Sequence, residues 1–108
     1  MTTVEKTGEG ELTARLAGDI DHHSVGEMRD IIDDAVDRDR PCLLVLDFGA
    51  VTFMDSSGIG LVMGRYKRMD EIGGKLKITN VPPQMRKVMR ISGIDRLATI
   101  DNKGGTSK

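Results

Sequence analysis

Hydrophobic and polar residues change their spacing several times along the chain, and each change indicates a new element. Residues 3–7 and 11–17 alternate as β-strands do, and Gly8-Glu9-Gly10 between them is typical of a turn. The sequence therefore predicts an N-terminal β-hairpin. Residues 18–23 contain Gly and Asp and are expected to form a loop.

Three later segments repeat their apolar residues at helical spacing. The first follows Ser24, which forms a capping-box pattern with Glu27 three residues later. The second covers about residues 56–70 and ends at Gly73-Gly74. The third opens with Pro82-Pro83, because proline is favoured in the first turn of a helix, and closes at Ser92-Gly93.

Short apolar segments separate these helices: residues 42–46, 75–79 and 97–100. The first is continuously apolar, which predicts a central strand covered on both faces. Strands that alternate with helices predict an α/β fold, with a mixed, mostly parallel sheet of four to five strands. The hairpin forms an antiparallel edge, and about three to four helices flank the sheet. Residues 1–108 are expected to form one domain, with 101–108 as a flexible tail.

Composition narrows the possible functions. Hydrophobic residues make up 38% and charged residues 31% of the chain, a globular balance. No segment resembles a membrane span or a signal peptide, and the single Cys42 allows no intramolecular disulfide, so a cytoplasmic location is expected. Residues 1–54 hold 12 acids and 5 bases, whereas 55–108 hold 5 acids and 11 bases. This charge asymmetry favours an oriented encounter with a protein partner over binding to nucleic acid. The alternative is that the charged residues serve only to solvate exposed helix faces.

The segment 53–60 carries the most informative chemistry. Asp55, Ser56 and Ser57 stand where an apolar stretch ends and a helix begins, so any of them could serve as the N-cap. A phosphate there would lie at the positive end of the helix dipole. Gly58, which has no Cβ, would leave the backbone open to another protein. A plain cap and a regulatory surface both remain open at this stage.

Other candidate chemistry is weaker. Gly58, Gly60 and Gly64 do not have the spacing of a dinucleotide fingerprint, and Gly60 is expected to pack on the sheet of its own domain. His22 and His23 are adjacent and have no recognised metal-ligand spacing, so no metal or cofactor is expected. No nucleophile–base set is present, which argues against an enzyme. The bases Arg86, Lys87 and Arg90 are interpreted as a solvated helix face.

These segments together resemble the anti-sigma factor antagonists of the STAS domain family, most of all the sporulation sigma-F type. The resemblance extends from about Thr3 to Ile100, and its most specific part runs from Met54 to Lys67. It also includes the strings Asp21-His22-His23-Ser24, Ile72-Gly73-Gly74 and Ser92-Gly93-Ile94.

The resemblance implies that the unphosphorylated protein binds an anti-sigma factor, a serine kinase with a GHKL-type ATP-binding fold, and so frees a sigma factor. The kinase would phosphorylate Ser56, and a PP2C-like serine phosphatase would restore the active form. The expected partner-binding residues are Asp21, His22, His23, Ser24, Asp55, Ser57, Gly58 and Ile59. The antagonist itself would catalyse nothing and would bind neither nucleic acid nor membrane.

Two alternatives remain from sequence. One is a STAS subunit of a transport or lipid-asymmetry complex that is not phosphorylated, and the other is a nucleotide-binding enzyme. The resemblance also leaves open whether the pathway is sporulation or general stress.

Overall fold

The computed structural model describes residues 2–102. Its elements are β1 (Thr2–Gly8), β2 (Glu11–Ile20), α1 (Val25–Asp39), β3 (Leu43–Met54), α2 (Ser56–Glu71), β4 (Lys75–Val81), α3 (Pro83–Ile91), a short 3₁₀ turn (Ile94–Arg96) and β5 (Thr99–Asn102). None of the helices in this part of the chain has the length and apolar content needed to cross a membrane.

The five strands form one sheet in the order β1-β2-β3-β4-β5. β1 and β2 pair antiparallel as a hairpin, and the remaining neighbours are parallel, each joined through one helix. The predicted α/β fold, with its mixed sheet and hairpin edge, is confirmed. Because β2, β3 and β4 run in the same direction, their carboxyl ends meet at one edge of the sheet.

The core lies on one face of the sheet only. Every second residue of the central strands is buried in a single apolar cluster: Leu12, Ala14, Leu16, Leu44, Leu46, Phe48, Leu76 and Ile78. The buried residues of α1, α2 and α3 join the same cluster. Right-handed crossovers between strands in sequential order place all three helices on this face.

The opposite face of the sheet is polar, which corrects one expectation. Arg15 and Asp47 are register partners there, with Arg15 Nε 3.9 Å from Asp47 Oδ2, and Arg15 also pairs with Glu5. Val45 lies in register with Thr13 and Lys77 and is buried, but it does not belong to the core cluster. The prediction that residues 42–46 are covered on both faces is therefore wrong, since strand neighbours and not a second layer bury Val45.

Strand β3 carries one residue more than β2 at two points. The register shifts between the pairs Arg15–Asp47 and Ala17–Ala50, and again between Gly18–Val51 and Asp19–Phe53. Such bulges reverse the face that each following side chain occupies. Val51 is consequently buried, and Met54 packs against the core while Phe53 points outward and is 51% exposed.

Several predicted boundaries differ from the structure. The strand predicted at 42–46 extends to Met54, and the strand predicted at 97–100 begins at Thr99. Residues Gly18–Ile20 continue β2 instead of forming a loop, because they pair with the end of β3. The predicted tail overlaps β5, since Asp101 and Asn102 belong to that strand. Residues 103–108, the rest of the predicted tail, lie outside the described residues.

Helices α1 and α2 are joined by ion pairs. Arg65 of α2 is buried, and its Nε lies 3.0 Å from Asp33 Oδ1 of α1. Burial lowers the pKa of Arg65, and burial likewise raises the pKa of Asp33 against the opposing effect of Arg65. A second, more exposed pair joins Arg68 to Asp37. These contacts fix α1 against α2 along their length.

Candidate partner-binding and phosphorylation site

The end of β2 and the start of α2 meet at the carboxyl edge of the sheet. Ile20 and Met54 are register partners at the ends of β2 and β3. One residue further on, the backbone amide of Asp55 donates a hydrogen bond of 3.1 Å to the Ile20 carbonyl. The segments 21–24 and 55–58, which are separated in sequence, therefore begin side by side.

Asp55 is the residue that caps α2. Its side-chain Oδ1 accepts a 2.7 Å hydrogen bond from the backbone amide of Ser57, and its carbonyl accepts one of 3.0 Å from Gly58. Asp55 has extended backbone geometry, with φ −99° and ψ −166°, as an N-cap residue requires. Of the three candidates, Asp55 performs the capping and both serine hydroxyls are left unused.

Ser56 and Ser57 differ in exposure. Ser56, the first residue of α2, is exposed, whereas Ser57 is partly buried. Neither hydroxyl makes a hydrogen bond to any residue whose side chain the structure describes. Free amides at a helix N-terminus favour an anion. Ser56 thus presents an unengaged hydroxyl where added negative charge is tolerated.

Gly58 is buried, contrary to the expectation of an open backbone. A Cβ at this position would lie 2.2 Å from Met54 Cγ and 2.4 Å from Met54 Sδ, with Ile20 Cγ2 at 3.4 Å. The absent side chain therefore admits Met54 beneath the first turn of α2. Packing within the domain accounts for glycine here, and partner contact by Gly58 stays a prediction.

Gly60 is exposed, and no atom lies within 4 Å of a Cβ built on it. The prediction that Gly60 packs against its own sheet is wrong. Gly64, one turn further along α2, is also open at its Cβ position. Ile59, which precedes Gly60, is partly buried and packs against the core.

Asp21 organises the loop before α1. Its Oδ1 accepts hydrogen bonds from the backbone amides of His23, at 2.9 Å, and Ser24, at 3.1 Å. The bond from the Ser24 amide is the largest cause of a lowered pKa for Asp21, with a smaller contribution in the same direction from His23. The loop is therefore held by a carboxylate that remains ionised.

The predicted capping box at Ser24 and Glu27 is wrong. Ser24 is the N-cap residue of α1, but its side chain makes no capping hydrogen bond. Its Oγ donates to the Asp19 carbonyl at 2.8 Å and accepts from the Asp21 amide at 3.1 Å. The hydroxyl thus fastens the loop to the end of β2, and Asp21 Oδ1 takes the Ser24 amide that Glu27 would bind in a capping box.

His22 and His23 are exposed and lie against each other, with ring centroids 4.0 Å apart at an angle of 38°. His23 Nδ1 is 3.9 Å from Asp21 Oδ1. Within residues 2–102, no group of three or more His, Cys, Asp or Glu side chains is arranged to hold a metal ion. The pair offers two aromatic, hydrogen-bonding surfaces to a partner.

Phe53 adds an apolar group that the sequence interpretation did not single out. It stands just before Met54 and Asp55 at the end of β3, and it is 51% exposed. Its register partner Asp19 accepts a 3.0 Å hydrogen bond from Thr52 Oγ1. The chain contains only two Phe and one Tyr, so each aromatic residue could have been considered individually from the sequence. An exposed aromatic side chain is typical of a protein interface.

Comparisons with known proteins agree with this architecture. The STAS domain family matches residues 2–105. The chain is 36% identical over 95 residues to the anti-sigma F factor antagonist of Paenibacillus polymyxa, covering 87% of this chain and 81% of the relative. It is 38% identical over 80 residues to the protein of the same name from Lysinibacillus sphaericus, covering 74% and 68%.

Solved structures give the same result. The anti-sigma factor antagonist SpoIIAA in its unphosphorylated form superposes with a TM-score of 0.80 at 31% identity, covering 93% of this chain and 87% of that one. The Bacillus cell fate determinant SpoIIAA in its phosphorylated form gives a TM-score of 0.74 at 32% identity, covering 93% and 90%. The chain therefore belongs to the STAS domain family, and within it resembles the anti-sigma factor antagonists of the SpoIIAA type.

Proposed function

We propose that this protein is an anti-sigma factor antagonist controlled by phosphorylation of Ser56. In its unphosphorylated form it binds an anti-sigma factor that is also a serine kinase with a GHKL-type ATP-binding fold. Binding removes the anti-sigma factor from a sigma factor, which becomes free for transcription. The anti-sigma F factor antagonists of Paenibacillus and Lysinibacillus support this assignment by their similarity to the chain.

The observation that carries the proposal is the state of the Ser56 hydroxyl. It is exposed and unengaged in the described part of the chain, and it directly follows the capping residue Asp55. A kinase can therefore remove its proton and transfer a phosphoryl group without breaking a hydrogen bond of the fold. Ser57, which is less exposed and donates its amide to the cap, is the poorer acceptor.

Phosphorylation stops binding through local charge and size. A phosphoserine carries about −1.5 to −2 charges at neutral pH. The N-terminus of α2 accommodates this charge, whereas a partner surface shaped for a neutral hydroxyl does not. The neighbouring carboxylate of Asp55 makes the local charge still more negative. Structures of SpoIIAA in its unphosphorylated and phosphorylated forms support the proposal that this chain also exists in both states.

The loop residues Asp21, His22, His23 and Ser24 complete the docking surface with Asp55, Ser57, Gly58 and Ile59. The bond between the Asp55 amide and the Ile20 carbonyl supports this grouping, because it sets the loop beside the serine. A PP2C-like serine phosphatase returns the protein to its binding form. The antagonist acts in the cytoplasm without catalysing a reaction and without a cofactor, nucleic acid or membrane.

The test combines the purified protein with a SpoIIAA-type anti-sigma kinase and ATP. Wild type and Ser57→Ala are expected to accept phosphate and then release the kinase, whereas Ser56→Ala accepts none and stays bound. Phosphate mapped to Ser57 alone would overturn the assignment of Ser56. Persistent binding by wild type without phosphate transfer would instead favour a STAS subunit that is not phosphorylated.

A further inference from the structure

The outer side of α3 combines exposed apolar and basic side chains. Of the five exposed large hydrophobic residues in the described chain, Val88 at 46% and Ile91 at 75% lie on α3, and Leu97 at 36% follows α3 in the sequence. Ile91 is the most exposed of them. Isolated exposed apolar residues are ordinary, but a concentration of them indicates an interaction surface.

The basic residues of this region have no carboxylate partners. The side chains of Arg86, Lys87, Arg90 and Arg96 make no hydrogen bond or ion pair with any residue whose side chain is described. Five of the six arginines elsewhere in residues 2–102 are paired with acids, Arg40 being the exception: Arg15, Arg29, Arg38, Arg65 and Arg68. We call the three unpaired bases that lie on α3, together with Val88 and Ile91, the α3 basic surface.

α3 itself has no acidic residue, and only Asp95 brings a negative charge between Pro83 and Leu97. A surface of this charge attracts acidic groups and speeds their approach. The exposed Ile91 and Val88 would gain stability by being buried against an apolar side chain. The matching ligand is therefore acidic and carries at least one apolar anchor.

A second copy of this chain is a poor match. Its acidic helix α1 has most of its carboxylates already paired with arginines: Asp30, Asp33, Asp37 and Asp39. A membrane surface is also a poor match. The apolar residues Met85 and Met89 face the protein core, so α3 has no continuous apolar stripe left to insert into lipid.

We propose that the α3 basic surface binds an acidic protein segment that contains an apolar side chain. This interaction would lie on a helix separate from the serine and the Asp21–Ser24 loop. It does not depend on phosphorylation of Ser56, so the proposal can fail or succeed independently of the proposed function.

The experiment titrates isotope-labelled full-length protein with a short synthetic peptide that contains several Glu residues and two Leu residues. A peptide with Ser in place of both Leu is the matched probe, and vesicles of phosphatidylcholine and phosphatidylserine are the lipid probe. Amide shifts centred on residues 83–97 are expected with the Leu peptide. Arg90→Glu and Ile91→Ser should each weaken binding about tenfold.

Lys6→Glu and Met63→Ser are the matched controls, because they change an exposed base and an exposed apolar residue on other elements. Both controls are expected to bind the Leu peptide as wild type does. Binding to vesicles in place of the peptide would overturn the proposal in favour of a membrane surface. Binding to neither probe, or amide shifts centred outside α3, would overturn it as well.

Discussion

The backbone amide of Asp55 donates a hydrogen bond of 3.1 Å to the carbonyl of Ile20. This bond joins the residue before α2 to the last residue of β2. Because Asp21 and Ser56 are the next residues in each segment, the loop and the serine start from adjacent positions that this bond holds together. Substitutions of Asp55 and of Ser56 should therefore distinguish the loss of the helix cap from the loss of the Ser56 hydroxyl.

Replacing Asp55 with Ala should lower the free energy of unfolding by about 1 kcal/mol, because the Ser57 amide loses its acceptor at 2.7 Å. Ser56→Ala should change it less, since the Ser56 hydroxyl has no partner in the described part of the chain. Denaturant titrations measure both values. Asp55→Asn, which keeps an acceptor oxygen, is the control, and an equal loss for Asp55→Ala and Ser56→Ala would contradict the assignment of the cap.

Two glycines of α2 should respond in opposite directions to substitution by Ala. Gly58→Ala places a Cβ 2.2 Å from Met54 Cγ, so we expect a loss of about 1–3 kcal/mol in unfolding free energy. Gly60→Ala meets no atom within 4 Å and should gain about 0.5–1 kcal/mol from helix propensity. Thermal unfolding of both variants is the measurement. A stabilised Gly58→Ala would show that Met54 moves aside at no cost.

The loop at Asp21 should loosen in acid. Hydrogen bonds from the Ser24 and His23 amides hold the folded-state pKa of Asp21 below its ordinary value of 3.8. The stabilisation is thus present above that value and is lost as pH falls through the lower, folded-state pKa. The amide resonances of His23 and Ser24 should titrate together below pH 3.8. A midpoint above this value, or no loss of the titration in Asp21→Asn, would contradict the account.

The two ion pairs between α1 and α2 should contribute unequally. Arg65→Met leaves the partly buried Asp33 without its partner and should cost about 3 kcal/mol in unfolding free energy. Arg68→Met removes a more exposed pair with Asp37, which solvent screens, and should cost much less than Arg65→Met. Chemical denaturation of both variants provides the comparison. The double variant Arg65→Met/Asp33→Leu should recover most of the loss, and failure to recover would mean that Arg65 acts through packing alone.

Phosphorylation of Ser56 should act without refolding the domain. The α2 N-terminus accommodates an anion, and the core of β3 lies on the other side of Gly58 and Met54. Amide spectra of the two forms should differ around residues 54–60 and, through the Asp55–Ile20 bond, around 20–24. Widespread shifts along Leu43–Leu46 would indicate a conformational switch.

Much of the fold was predictable because local signals and tertiary structure agree. Helix α2 was expected over about 56–70 and is found at Ser56–Glu71, since its apolar spacing and the stop at Gly73 point to the same limits. Gly73 adopts φ +81°, which glycine adopts readily. Pro82 and Pro83 open α3 as their geometry requires.

The remaining features depend on contacts that the sequence does not display. Gly18-Asp19-Ile20 has turn residues, but pairing with β3 makes it a strand. Ser24 and Glu27 have the spacing of a capping box, but the Ser24 amide donates its hydrogen bond to Asp21 Oδ1 and not to Glu27. Gly58 and Gly60 are both glycines in the first turns of α2, but Gly58 lies over Met54 and Ile20, whereas nothing lies within 4 Å of a Cβ built on Gly60.

The two bulges of β3 make its length as important as its composition. Side chains that face the core in this strand are Leu44, Leu46, Phe48, Val51 and Met54, so the interval between them grows from two residues to three at each bulge. If β3 alternated simply after Val51, without the second bulge, Phe53 would face the core and Met54 would face outward. A phenylalanine ring would then enter the space beside Gly58 that methionine now fills. The second bulge consequently decides which of these two side chains packs under the first turn of α2 and which is left exposed beside Asp55.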